Sequence, residues 1–320
     1  MTKFEKIITS IPPISSIIRI SKNVSFFGYS EVKFYDVMIS FFRQVRKVGL
    51  NERAASISFN LVMALPAALL FLFSIIPYLP DSDKFESQIL SLFKDISPNS
   101  NTYLLIKNIL KDLLVKHVGV FSFGFVLLIF YSSNAMMGII RTFDKSIMEN
   151  RVFFLHKRWR AIVLTSMLIL LVIASTTLLI GQNQFATILK GLFHMKKRAK
   201  LEWWNAVRWI ILVCFLFYGI GVIYKFGPSV KKRWPLITPG SILATTLTLI
   251  TTILFSYWVN HFASYNKVYG SIGTVLILLL LINLNSLILL IGFELNVSLF
   301  SLIKNKNIAL NENKFNNQQA

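Results

Sequence analysis

Six long stretches of this chain carry no charged residue, and they limit what it can fold into. They run Ala54–Pro80, Val118–Ile140, Ala161–Leu189, Trp209–Tyr224, Trp234–Asn266 and Val268–Phe293. A helix needs about 20 apolar residues to cross the hydrocarbon core of a bilayer. Five stretches reach that length. The fourth reaches it once Ala206 and Val207 are included and Arg208 extends its charge to the interface. Every backbone N–H and C=O inside lipid must be paired, so only helices or closed barrels can span. A barrel would alternate apolar and polar residues, which these runs do not. Composition agrees, with 54% hydrophobic and 15% charged residues, against about 25% charged in an average soluble domain. The expected fold is an all-α integral membrane protein, a bundle of about six spans near 54–79, 118–140, 161–182, 206–225, 239–261 and 268–293.

The net charge of +20 would suggest nucleic acid in a soluble protein. On membrane loops, Lys and Arg instead set orientation and meet anionic lipid. Six spans place both termini on one side. That side holds 22 of the 34 Lys and Arg, in residues 1–53, 141–160, 225–233 and 304–320. The expectation is therefore cytoplasmic termini, although the basic segment 190–200 then lies outside. Cys214 is the single cysteine and cannot close an intrachain disulfide. No signal peptide is visible, because the first apolar run begins more than fifty residues in.

Within segment 1–53, Phe34, Val37, Met38, Phe41, Val45 and Val48 recur at helical spacing, flanked by Lys33, Arg43, Arg46 and Lys47. This predicts an amphipathic helix that lies on the inner membrane face or packs on the end of the bundle. Asp81–His117 balances five acidic against five basic residues and predicts a helical extracytoplasmic loop. The Asn-, Lys- and Gln-rich tail 304–320 is expected to be disordered.

Polar groups at membrane depth are costly and normally face protein or water. Arg53, Ser56, Asn60, Ala64 and Ala67 form a stripe on the first span, which Pro66 is expected to kink. Ser241, Thr245, Thr248, Thr252 and Ser256 form another on the fifth. The second span carries Asn134, Arg141 and Asp144. The sixth opens with the small residues Gly270, Ser271 and Gly273, which favour close helix packing, and continues through Asn285, Glu294 and Asn296. Glu294 lies roughly 36 Å of helix beyond Gly270, near the inner interface, at the depth expected for Arg53 and Arg141. The functional reading is a water-filled cavity lined by these stripes, with Glu294 and the arginines at its floor binding an anionic head group or a cation. The alternative is purely structural: hydroxyls bonded to backbone carbonyls, Asn joining helices, and Glu294 neutralising an arginine.

Several of these residues resemble a known family. Arg53-Ala54-Ala55-Ser56-Ile57-Ser58-Phe59 with Pro66, Gly227-Pro228 followed by Pro239-Gly240, Tyr269-Gly270-Ser271-Ile272-Gly273, and Gly292-Phe293-Glu294-Leu295-Asn296 are similar to signatures of the YihY/BrkB family. The likeness runs from about Phe34 to Leu302. It implies a six-span protein of the bacterial plasma (inner) membrane, and links it to the cell envelope. Some family members carry a ribonuclease BN label. The residues do not support that label here, since His117, His156, His194 and His261 are isolated and form no metal-binding cluster.

No cofactor or metal is implied, and no nucleic-acid partner. The expected partners are membrane lipids, anionic lipid at the cytoplasmic face, and an envelope lipid-transfer protein. The leading functional expectation is translocation of lipid or another amphiphile, or service as membrane partner of a lipid-transfer system. The alternatives are an ion- or proton-coupled solute transporter that titrates Glu294, and a membrane scaffold without transport.

Overall fold

The computed structural model describes residues 21–26, 29–75, 77, 104, 107–108, 118–147, 154–180, 204–230, 233–261 and 264–319. A two-stranded antiparallel hairpin comes first, β1 (Ser25–Phe26) and β2 (Tyr29–Lys33), registered Phe26 to Tyr29. It is the one departure from an all-helical chain among the described residues. Seven helices follow among those residues: α1 (Phe34–Val48), α2 (Leu50–Ile75), α3 (Val118–Ile147), α4 (Phe154–Ile180), α5 (Trp204–Phe226), α6 (Pro239–His261) and α7 (Ser264–Gln319). Six of them, α2 to α7, are long and apolar enough to cross a membrane.

The amphipathic segment is a helix, as its periodicity predicts. Asp36 in the first turn of α1 and Arg46 and Lys47 in the last complement the helix dipole. The first turn lacks a side-chain cap; instead the Phe34 N–H donates to the carbonyl of Val24, the residue before β1, at 3.0 Å. The helix ends at Gly49, whose φ of 64° is left-handed and suits glycine. That single residue turns the chain directly into α2. Val37 and Phe41 bury one face of α1 against Leu295 and Leu299 of α7, together with Phe26 and Val32 of the hairpin. Phe34, Ile39 and Phe42 stay exposed on α1. The helix therefore packs on the bundle and still presents an apolar surface.

Each membrane helix packs on its neighbours in sequence: α2 on α3, α3 on α4, α4 on α5, α5 on α6 and α6 on α7. Helix α7 then returns to α2. The six helices thus close into a ring. The main core sits at the end of this ring where α3, α5 and α7 are rich in aromatics. There Phe143 and Phe293 stack with ring centroids 3.6 Å apart, Tyr224 meets Phe143 edge-on, and Trp234 packs on Phe293. The α2 helix is continuous through Pro66, although the proline removes the N–H that would bond the Val62 carbonyl.

Two expectations about boundaries change. Helix α3 continues past residue 140 to Ile147, and α4 starts at Phe154 rather than 161, so Arg141, Asp144, Lys145, Lys157, Arg158 and Arg160 belong to helices. Helix α7 runs on to Gln319, where the tail after Lys304 was expected to be disordered. Leu295 and Leu299 continue the apolar face beyond Phe293 and are buried on α1 and the hairpin, so the helix has no reason to stop there. The segment Asp81–His117, expected to be a helical extracytoplasmic loop, and the basic segment 190–200 lie almost wholly outside the described residues.

Candidate functional site: a polar helix junction beneath an apolar cavity

Three polar groups of the candidate set gather at one end of the ring. The first is built on Glu294, which is 0% exposed on α7. Ser146 of α3 donates its hydroxyl to Glu294 Oε1, and Arg53 of α2 donates to Ser146 Oγ at 2.8 Å. The guanidinium also lies 4.0 Å from Glu294 Oε1 and 3.4 Å from the Thr142 carbonyl. The ion pair is therefore at its outer distance limit, and Ser146 bridges it. Of the two arginines expected near Glu294, Arg53 is the partner. Arg141 is exposed on α3 and engages other groups.

The second group joins α6 to α7. Thr238 caps α6: its hydroxyl accepts the Ser241 N–H at 3.1 Å, while Ser241 Oγ accepts the Thr238 N–H at 2.9 Å. Pro239 occupies the first helical position, where a missing N–H costs nothing because that donor has no partner within the helix. Asn296 reaches across from α7. Its Oδ1 accepts the Gly240 N–H at 2.9 Å, and its Nδ2 donates to Thr238 Oγ1 at 2.9 Å. A side chain of one membrane helix thus satisfies an orphan donor at the start of another. This reach is open because Gly240 and Gly292 face each other without side chains. A Cβ on Gly240 would collide with the Gly292 carbonyl oxygen, and one on Gly292 would sit 2.5 Å from the Gly240 carbonyl oxygen.

The third group is Asp144 of α3, which ties the α5–α6 connection to α4. It accepts the Ser229 N–H at 2.9 Å and pairs with Lys157 at 2.5 Å, while Arg160 donates to Ser229 Oγ at 2.9 Å. Nearby, Asn134 accepts a hydrogen bond from Arg158.

The other candidates fall elsewhere. Ser56 is exposed, and its carbonyl accepts from Asn60 Nδ2 at 2.8 Å, a bond within α2. Thr245 and Thr252 bond carbonyls four residues back in α6, as the structural alternative holds. Gly270, Ser271 and Gly273 lie on α7, outside the residues whose side chains are described. Among the described residues, Gly240 and Gly292 make a close backbone approach. Sequence reading also passed over Ser146, whose only distinguishing signal is a hydroxyl five residues after Arg141 on the same helix.

Above this junction lies a cavity of 630 Å³, walled by all six membrane helices. Its lining is almost entirely apolar and contains no charged residue. Ile139, Ile220 and Leu289 line it; Phe143, Tyr224 and Phe293 follow four residues later on the same three helices. One helical turn thus separates the cavity from the aromatic layer. The expected floor is corrected by this arrangement. Aromatic rings, not Glu294 and an arginine, adjoin the cavity, and Asn285 is the candidate residue that lines it. Among the described residues no group of three or more His, Cys, Asp or Glu could hold a metal.

The chain is 26% identical over 251 residues to the ribonuclease-like protein YfkH of Bacillus subtilis, covering 78% of this chain and 90% of that one. It is 28% identical over 142 residues to UPF0761 membrane protein IL2447 of Idiomarina loihiensis, covering 44% of this chain and 46% of the relative. A UPF0761 membrane protein of Stenotrophomonas maltophilia, Smlt0865, is 25% identical over 256 residues, or 78% of this chain and 57% of its own length. No solved structure matches. Residues 41–314 match the family described as virulence factor BrkB. With its six apolar helices and that match across most of its length, the chain belongs to the virulence factor BrkB family of multi-pass membrane proteins.

Proposed function

We propose that the protein binds and moves a lipid or similar amphiphile of the bacterial envelope, alone or as the membrane partner of a lipid-transfer protein. The observation that carries this reading is the 630 Å³ apolar cavity walled by all six membrane helices. Its volume lies within the roughly 300–1,000 Å³ of small-molecule sites. Its uncharged wall suits hydrocarbon and disfavours ions, whose desolvation would go uncompensated. A scaffold would gain more by packing this space, since interiors otherwise fill to crystal-like density. The alternative of ion or proton coupling through Glu294 is less favoured, because the aromatic layer of Phe143 and Phe293 separates that carboxylate from the cavity.

In this reading the protein resides in the inner membrane with both termini in the cytoplasm. The exposed Phe34, Ile39 and Phe42 of α1 then meet the inner leaflet, and Arg43, Arg46 and Lys47 meet anionic lipid there.

The test is lipid retention. The protein is purified in a mild detergent, and its bound lipid is counted by mass spectrometry beside Ser132→Phe and Thr248→Phe, which fill the cavity from two walls. Loss of one tightly held molecule per chain in the filled variants supports the reading. Equal lipid content in wild type and both variants overturns it.

A further inference from the structure

Two polar atoms in the cavity wall have no partner among the described residues. Thr165 of α4 is only 3% exposed, and its hydroxyl makes no hydrogen bond there. The same holds for Asn285 Oδ1 of α7. Both residues line the cavity. Away from the cavity, Glu294 Oε2 and Ser298 Oγ are the other buried polar side-chain atoms without a partner among the described residues. Ser58, Thr142, Thr245 and Ser286 each bond the carbonyl four residues back, which is the ordinary way to satisfy a hydroxyl inside a membrane helix. Thr165 leaves that option unused.

The orientation of Asn285 is fixed by its own helix, since Nδ2 donates to the Leu281 carbonyl at 3.0 Å. Exchanging amide oxygen and nitrogen would set two oxygens against each other. The group left over is therefore an acceptor, and it requires a donor. A buried polar atom left unmatched is costly, so native structures rarely keep one without a partner.

We infer that the cavity is a binding site for an uncharged long-chain amphiphile whose hydroxyl or N–H group is held by Asn285 Oδ1 and the Thr165 hydroxyl. The inference rests on the amphiphile reading of the cavity and narrows it. A phosphate, carboxylate or ammonium group would enter a wall that offers no counter-charge. A neutral hydroxyl meets both requirements, donating to Asn285 and accepting from Thr165. The wall itself holds the hydrocarbon chain. The chemical class is thus a long-chain alcohol or a neutral glyceride rather than a charged headgroup.

The experiment uses two photo-crosslinking probes of equal length, a diazirine-bearing hexadecanol and its methyl ether, added to the full chain in phosphatidylcholine vesicles. Crosslinked peptides are mapped by mass spectrometry. The alcohol should label the cavity helices about three- to tenfold more strongly than the ether, the range of one neutral hydrogen bond. Thr165→Val and Asn285→Leu should each remove most of that preference while ether labelling persists, which shows that the variants are folded. Equal labelling by the two probes in wild type, or a preference that survives both substitutions, overturns the hydrogen-bonding site but leaves the amphiphile reading standing. If neither probe labels the cavity helices, both fail together.

Discussion

Gly240 and Gly292 bring the backbones of α6 and α7 into direct contact: a Cβ on Gly292 would fall 2.5 Å from the Gly240 carbonyl oxygen, and one on Gly240 would collide with the Gly292 carbonyl oxygen. The Cβ on Gly292 would also meet Tyr224 Oη at 2.5 Å and Ala244 Cβ at 2.8 Å. Backbone atoms cannot swing aside as a long side chain can. Gly240→Ala and Gly292→Ala should therefore each cost at least the about 1–3 kcal/mol of ordinary overpacking. Gly219→Ala is the control, because its Cβ would meet only Leu168 Cδ2 at 3.7 Å. Thermal melts in detergent should show a clear drop for the first two variants and little change for the third.

The Arg53–Ser146–Glu294 group should respond asymmetrically. Removing one member of a buried pair typically costs about 3–5 kcal/mol, because the remaining charge is uncompensated. The Arg53 side chain is 20% exposed and can reach water, whereas that of Glu294 is 0% exposed. Arg53→Gln should therefore destabilise more than Glu294→Gln, and the double variant should fall well short of the sum. Coupling near zero in that cycle would mean that the pair contributes nothing beyond its two separate members.

Asn296 should act as a cap supplied from another helix. Asn296→Ala leaves the Gly240 N–H without an acceptor, and loss of such a cap costs about 0.5–2 kcal/mol. Asn296→Asp keeps the acceptor at the positive end of α6 and loses the bond to Thr238 Oγ1. The expected order of melting temperatures is wild type, then Asp, then Ala. An Asp variant no more stable than Ala would show that the Thr238 bond is the important half.

Orientation can be read by cysteine labelling. After Cys214→Ser, an impermeant maleimide applied outside should modify Ser100→Cys and leave Asn316→Cys untouched until the membrane is opened. This follows from the 22 of 34 Lys and Arg assigned to the inner side. The reverse pattern would invert the assignment.

The name of YfkH prompts a check on ribonuclease activity. The purified chain is expected to cleave no RNA with added divalent metal, since its histidines are isolated in sequence. Cleavage that vanishes on substitution of a residue of this chain would refute that expectation.

Much of the architecture was legible before folding. Runs such as Val118–Ile140 are uncharged and mostly apolar over their whole length, and lipid leaves such a run no option but a helix, so the number of spans follows from solvation alone. The face of α1 that buries Val37 and Phe41 was equally legible from its 3.6-residue period. Depth, which a constant helical rise makes countable, set Glu294 level with Arg53 and Arg141 alike, and only the packing of the helices selected Arg53.

Contacts between distant segments were another matter. The sequence supplies two glycines 52 positions apart, and only the crossing of α6 and α7 makes them touch. Ser146 became the bridge between Arg53 and Glu294 because α3 continues past its apolar run, which hydropathy reads as an ending. Thr165 looked like any hydroxyl in a membrane helix until the closed ring of six helices left it facing a cavity with no partner among the described residues. Hydropathy and periodicity follow from each residue's own preference for lipid, water or a helix, and these are local. Which residues meet across the bundle depends on how six separate helices pack, and that is set by the fit of their surfaces together.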